Sequence, residues 1–113
     1  MKEIYRKIKK FIQRGQRGWS DEDTWSFDYY LAEVISGGCK YLTDNSHSYP
    51  DGLTEKKWKR ILNKISEISE VNRVENTLFN LPNEEFIDEV KSAYKKQKEA
   101  LELFIKHFND LWD

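Results

Sequence analysis

An all-α fold, a compact bundle of about four helices with a long C-terminal one, is predicted by three features of this chain. Apolar residues recur at three- and four-residue spacing through four separate stretches. No stretch alternates with a period of two. The breaks between stretches carry Gly, Pro, Asn and Ser. The 113 residues are expected to form a single helical domain, 1–113. A chain of this length buries roughly two-thirds of its unfolded surface, enough for a core without staples.

The first stretch, KEIYRKIKKFIQR, places Ile4, Ile8, Phe11 and Ile12 at helical spacing among bases, and Gly15 and Gly18 end it. Ser20 then reads as an N-cap. Asp23 stands where a capping box has its acid, and Asp21 and Glu22 suit the positive end of the helix dipole. The second helix carries Trp25, Phe27, Leu31, Val34 and Ile35 and runs to about Leu42, with Gly37 and Gly38 as a kink or a close backbone approach. A turn-rich loop, TDNSHSYPDG, follows. Thr54 caps a third helix bearing Trp58, Ile61, Leu62, Ile65 and Ile68, which runs to the middle seventies. After Pro82, apolar positions from Phe86 to Trp112 define one long helix or two collinear pieces.

Charge is unevenly placed. Met1 to Gly18 holds seven bases and one acid, a net of +6, whereas Trp19 to Ser36 holds five acids and no base, a net of −5. The two blocks are expected to neutralise each other by packing. The overall charge of −1 gives no bias toward nucleic acid or membrane, and no apolar run is long enough for a span. No membrane and no nucleic-acid partner are therefore expected. One cysteine, Cys39, excludes an intrachain disulfide, and no apolar segment follows the basic N-terminus as a signal peptide requires. A cytoplasmic protein is expected.

Asp28 is the polar residue that helix periodicity leaves unexplained. It shares the inward-reading face with Trp25, Leu31, Ala32 and Ile35, where a carboxylate needs a partner. A structural network is the bland explanation, and a ligand contact the sharper one. Arg17, Trp19, Asp21 and Asp23 surround the start of the same helix. They read as an anion site or as a salt-bridged, capped helix start with Trp19 as a staple. His47 and Tyr49 lie in the loop, and Lys57 and Arg60 on the third helix. His107 and Cys39 read as packing residues. There is no GxSxG, P-loop, GxGxxG or HExxH, so no catalytic residue, metal ligand set or cofactor is assigned, and enzyme activity is not the favoured reading.

The runs RGWSDEDTWSFDYYLAEVI (17–35), SHSYP (46–50), LTEKKWKRIL (53–62) and LELFIKHFNDLWD (101–113) resemble a family of small proteins encoded by tailed phages and prophages. That family has an RG-x-S-D-x-D-x-W-x-x-D-x-x-L-A segment, an HGYP-like loop, a T-x-x-x-W-x-x-I-L helix and an LW-D ending. Ser48 departs from the pattern, which has Gly there. The resemblance places polar pattern positions on Arg17, Asp21, Asp23, Asp28 and His47, and aromatic ones on Trp25, Tyr49, Trp58 and Trp112. It implies an accessory or anti-defence factor in the cytoplasm of an infected bacterial host, without an established activity.

The expected function is therefore non-enzymatic binding and sequestration of a small nucleotide-type immune signal. The candidate ligand-binding residues are Arg17, Asp23, Trp25, Asp28, His47, Tyr49, Lys57 and Arg60. Arg and Lys serve the anion, and Trp and Tyr stack on the base. An inhibitor or adaptor acting on a host or phage protein is the alternative. A metal-dependent hydrolase using Asp23, Asp28 and His47 is a second alternative. The C-terminal helix, with Phe104, Phe108, Leu111 and Trp112, offers a surface for a homo-oligomer.

Overall fold

The computed structural model describes residues 1–112. Five α-helices are present among the described residues: α1 (Lys2–Arg17), α2 (Phe27–Asn45), α3 (Glu55–Ser66), α4 (Glu70–Thr77) and α5 (Asn83–Lys106). Three-residue-per-turn helix covers Glu22–Ser26, Glu67–Ser69 and Phe108–Asp110. Because Glu67–Ser69 joins α3 directly to α4, the chain has four helical stretches, as the periodicity predicts, and no strand among the described residues. The fold is all-α, and no described helix is long and apolar enough to cross a membrane. The chain divides into two compact units, residues 1–31 and 32–113, with the boundary inside α2.

In the first unit α1 ends where Gly18 adopts φ 87° and returns its N–H to the Arg14 carbonyl. That left-handed geometry favours glycine and turns the chain back toward α1. The acidic turn then meets the basic face. Arg14 forks both oxygens of Asp23, at 2.9 and 2.6 Å. Arg6 donates to Glu22 at 2.8 Å, and Gln13 exchanges two hydrogen bonds with Asp21. Ser20 and Asp23 form the reciprocal capping box: the Ser20 N–H donates to Asp23 Oδ2 at 2.8 Å, and the Asp23 N–H to Ser20 Oγ at 3.3 Å. The Arg14 guanidinium, followed by the bonds from Ser20, holds the Asp23 carboxyl well below the usual carboxylate range. Arg17 lowers Asp21, and Arg6 lowers Glu22. Tyr30 adds a 2.6 Å bond to the Gly18 carbonyl, and the Arg14 guanidinium lies 5.0 Å from its ring centroid.

Ser20 and Asp23 are the buried residues of this unit, and no apolar side chain of α1 is buried. The expectation that Trp25, Asp28 and Leu31 face inward is overturned. Trp25 is 75% exposed, and Asp28 and Leu31 are exposed. Residues 22–26 turn 120° per residue instead of 100°, so Trp25 leaves the α-helical register on which the expectation rested. The face of α2 that is buried carries small side chains instead: Ala32, Ser36 and Cys39.

The second unit has an apolar core. Cys39, Trp58, Leu62 and Ile65 form its centre, with Leu53, Leu103, Phe104 and Leu111 packed around them. Ala32, Ile68 and Ala100 extend it, and Val71, Val74 and Ala93 form its far end. Thr54 caps α3 as predicted, accepting the Lys57 N–H at 3.2 Å. Ser36 supports the break between α3 and α4. Its hydroxyl donates to the Ser66 carbonyl at 2.8 Å and accepts from Ser69 at 3.0 Å. The Ser69 hydroxyl also lies 3.4 Å from the same carbonyl, so two serines converge on the change of helix type. Gly37 and Gly38 do not interrupt α2, and an added Cβ at either would meet no atom within 4 Å, so close backbone approach does not explain them.

Two outcomes test these contacts. Ser36→Ala should cost about 0.5–1.5 kcal/mol in urea unfolding, the net worth of one hydrogen bond, because the Ser69 hydroxyl, 3.4 Å from the Ser66 carbonyl, remains to bond it; a neutral result contradicts that role. In the first unit, Asp23→Asn should lower amide-exchange protection in α1 by about ten-fold or more. The same contact is fully present above about pH 5, where the carboxylates are ionised in open and closed forms alike. It is lost as pH falls through the depressed folded-state values, because protons then favour the open form.

Candidate functional site

The eight candidate residues separate into two groups. Arg17, Asp23, Trp25 and Asp28 belong to the first unit, and His47, Tyr49, Lys57 and Arg60 to the second. In the first, Arg17 is engaged internally. It pairs with Asp21, donates to the Trp19 carbonyl at 2.9 Å and stacks 3.9 Å from the Trp19 ring centroid. Asp23 is held by Arg14 and Ser20. This is the salt-bridged, capped helix start, with Trp19 stacked by Arg17. In the second, Lys57 and Arg60 are exposed on α3. His47 is exposed in the loop, with Nδ1 3.5 Å from Glu55 Oε1. Lys59, 3.2 Å from Glu55, and then His47 hold that carboxyl below its ordinary value.

Tyr49 is the candidate that lines a cleft. A cavity of about 690 Å³ opens between the 48–53 loop and the C-terminal end of α5, lined by Ser48, Tyr49, Asp51, Lys106, Asp110 and Trp112 among others. The loop is held from both ends. The Ser46 N–H bonds the Leu42 carbonyl at the end of α2, and the Ser48 N–H donates to the buried Ser46 hydroxyl at 3.2 Å. The Leu53 N–H closes the turn onto the Pro50 carbonyl, with Gly52 at φ 86° supplying the left-handed position. On the other side, the Asp110 N–H returns to the His107 carbonyl at 2.8 Å and places Trp112 at the rim.

His107 forms one wall. Its ring meets Trp58 edge-on at 5.3 Å, and its Nδ1 lies 3.1 Å from Asp110 Oδ2. Burial among the core aromatics and this carboxylate fix the ring plane. The packing role expected for His107 is present, and the same side chain also lines the cleft. Ser48 lines the cleft too, and among the described residues no hydrogen bond joins it to the His107 ring. No group of three His, Cys, Asp or Glu that could hold a metal comes together among the described residues.

No protein-family model, curated protein or solved structure matches the chain. The chemistry of the cleft is therefore the basis for a functional reading. It offers two aromatic faces (Tyr49, Trp112), one ammonium (Lys106), a fixed imidazole and two carboxylates (Asp51, Asp110). Lys106, Asp110 and Trp112 were missed as site residues by sequence reasoning. The cue was present in the adjacent SYPDG loop and LW ending, but nothing in the chain order brings those segments together.

His107→Ala should destabilise the second unit by about 1–3 kcal/mol, by removing the ring that packs on Trp58. Asp110→Ala should cost less, because the Asp110 side chain is 40% exposed. Urea unfolding of both variants checks the order, and equal costs would contradict it.

Proposed function

We propose that this protein is a non-enzymatic binding protein that holds a small planar anion of the nucleotide class in the cleft beside His107. One observation carries the reading: Tyr49 and Trp112 line the same cleft as the Lys106 ammonium yet stay 51% and 62% exposed. Rings used for core filling are covered, as Trp58 is. Rings left open beside a cation offer stacking faces and a charge for an aromatic anion. The two carboxylates suit the polar edge of a base or a ribose hydroxyl, both of which donate hydrogen bonds. A fixed imidazole without an activated nucleophile fits recognition better than turnover.

The resemblance to small phage proteins supplies a context for this reading. A phage-encoded accessory factor that sequesters a nucleotide signal of host immunity, in the host cytoplasm, would need a binding cleft and no catalytic group. Of the eight sequence candidates, Tyr49 takes part directly.

Ligand addition should raise the melting temperature, since about 2.7 kcal/mol is gained at a hundred-fold excess over Kd. Trp112→Ala and Tyr49→Ala should each weaken binding by about 1–3 kcal/mol while the fold is kept. Purified protein would be screened by thermal shift against linear and cyclic mono- and dinucleotides. If none moves the melting temperature or the tryptophan fluorescence, the reading fails.

A further inference from the structure

The outward face of α1 runs opposite to ordinary helix packing. At 100° per residue, Ile4, Tyr5, Ile8, Phe11 and Ile12 occupy one arc of roughly 140° with Gly15 and Gln16 and no charge. A surface helix usually buries such an arc and exposes its charges. Here the charged face is the one engaged, with Arg6, Lys10 and Arg14 on Glu22 and Asp23. The apolar arc faces solvent. Ile4 is 60%, Ile8 53% and Phe11 79% exposed.

We propose that this face of α1 docks on the surface of an anionic lipid bilayer. The edges of the arc decide the occupant. Lys7 stands on one edge and Lys9 and Lys2 on the other, by the same helical geometry. Lys9 lies 3.9 Å from Asp21, and the other acids of the turn, Glu22 and Asp23, are spent on Arg6 and Arg14 on the opposite face, so Lys7 on one edge and Lys2 on the other are not answered by them. A second copy laid on this stripe would therefore bring lysine against lysine along both edges. An anionic headgroup layer complements the lysine edges, and the acyl boundary takes up the isoleucines and Phe11, with Tyr5 at the interface. The overall charge of −1 conceals this, because the acids of the turn offset bases that lie on the engaged face. Docking on a surface needs no spanning segment, and it is independent of the cleft beside His107.

The test is co-sedimentation of the full chain with phosphatidylglycerol–phosphatidylcholine vesicles and with pure phosphatidylcholine vesicles. The protein should partition onto the anionic vesicles, less so at high salt. The double variant Ile8→Ser/Phe11→Ser changes two exposed side chains, so helicity by circular dichroism should be kept while the partition coefficient falls about ten-fold or more. Lys2→Gln/Lys7→Gln, which leaves the arc intact, should lower binding to the anionic vesicles alone, and it keeps the test decisive if the first variant loses helix. No partition of the wild-type protein, or equal partition of both variants, overturns the proposal. A lipid-free dimer by light scattering that Ile8→Ser/Phe11→Ser abolishes, without vesicle binding, also overturns it and assigns the face to a second copy.

Discussion

The bidentate pair between Arg14 and the buried Asp23 is the contact on which the first unit depends. Asp23 accepts from Arg14 and from the Ser20 backbone at once, so one carboxylate caps a helix start and anchors the preceding helix. Its ionised form is stabilised by every one of those bonds. The surrounding pairs, Arg6 with Glu22 and Arg17 with Asp21, are more exposed and screened by solvent, so they contribute less. Without a buried apolar side chain beneath it, α1 is positioned by direction-specific polar bonds. Such bonds define which face turns outward more strictly than they stabilise the unit.

The second unit follows the opposite logic. Its core mixes small side chains with large ones: Cys39 with Trp58, Leu62 and Ile65, Ala32 and Ala100 with Ile68, and Ala93 with Val71 and Val74. The Ser36 and Ser69 hydroxyls both bond the Ser66 carbonyl where the helix changes type. Trp58 connects this core to the cleft. Its ring is buried among Leu62 and Ile65, and its edge meets His107, which Asp110 holds from the solvent side. The cleft thus has a rigid wall and an open rim, an arrangement that suits binding with little ordering cost.

Much of the architecture was legible in the residues. Four periodic stretches, the Thr54 cap, the Ser20–Asp23 box, the end of α1 near Gly18 and the meeting of the basic and acidic blocks all follow from local spacing and charge. Local rules of capping, dipole and Coulomb attraction act over a few residues or one helix face, so a single sequence carries them. The inward placement of Trp25 failed for a local reason as well, because Glu22–Ser26 winds at three residues per turn, whereas Asp28 lies on regular α2 ahead of Ala32, where the buried face of that helix begins.

What only the tertiary structure decided is which side of an amphipathic helix is used and which distant segments share a cleft. Periodicity shows that α1 has two faces but not which one its neighbour takes. The capped turn, reaching back after Gly18, selects the charged face because that is where its carboxylates can be answered. Tyr49 and Trp112 stand far apart in the chain and meet at one cleft because α2 and α5 pack on α3 around Trp58. That pairing is set by the shape of a core, a property of many side chains together, and no local run of residues encodes it.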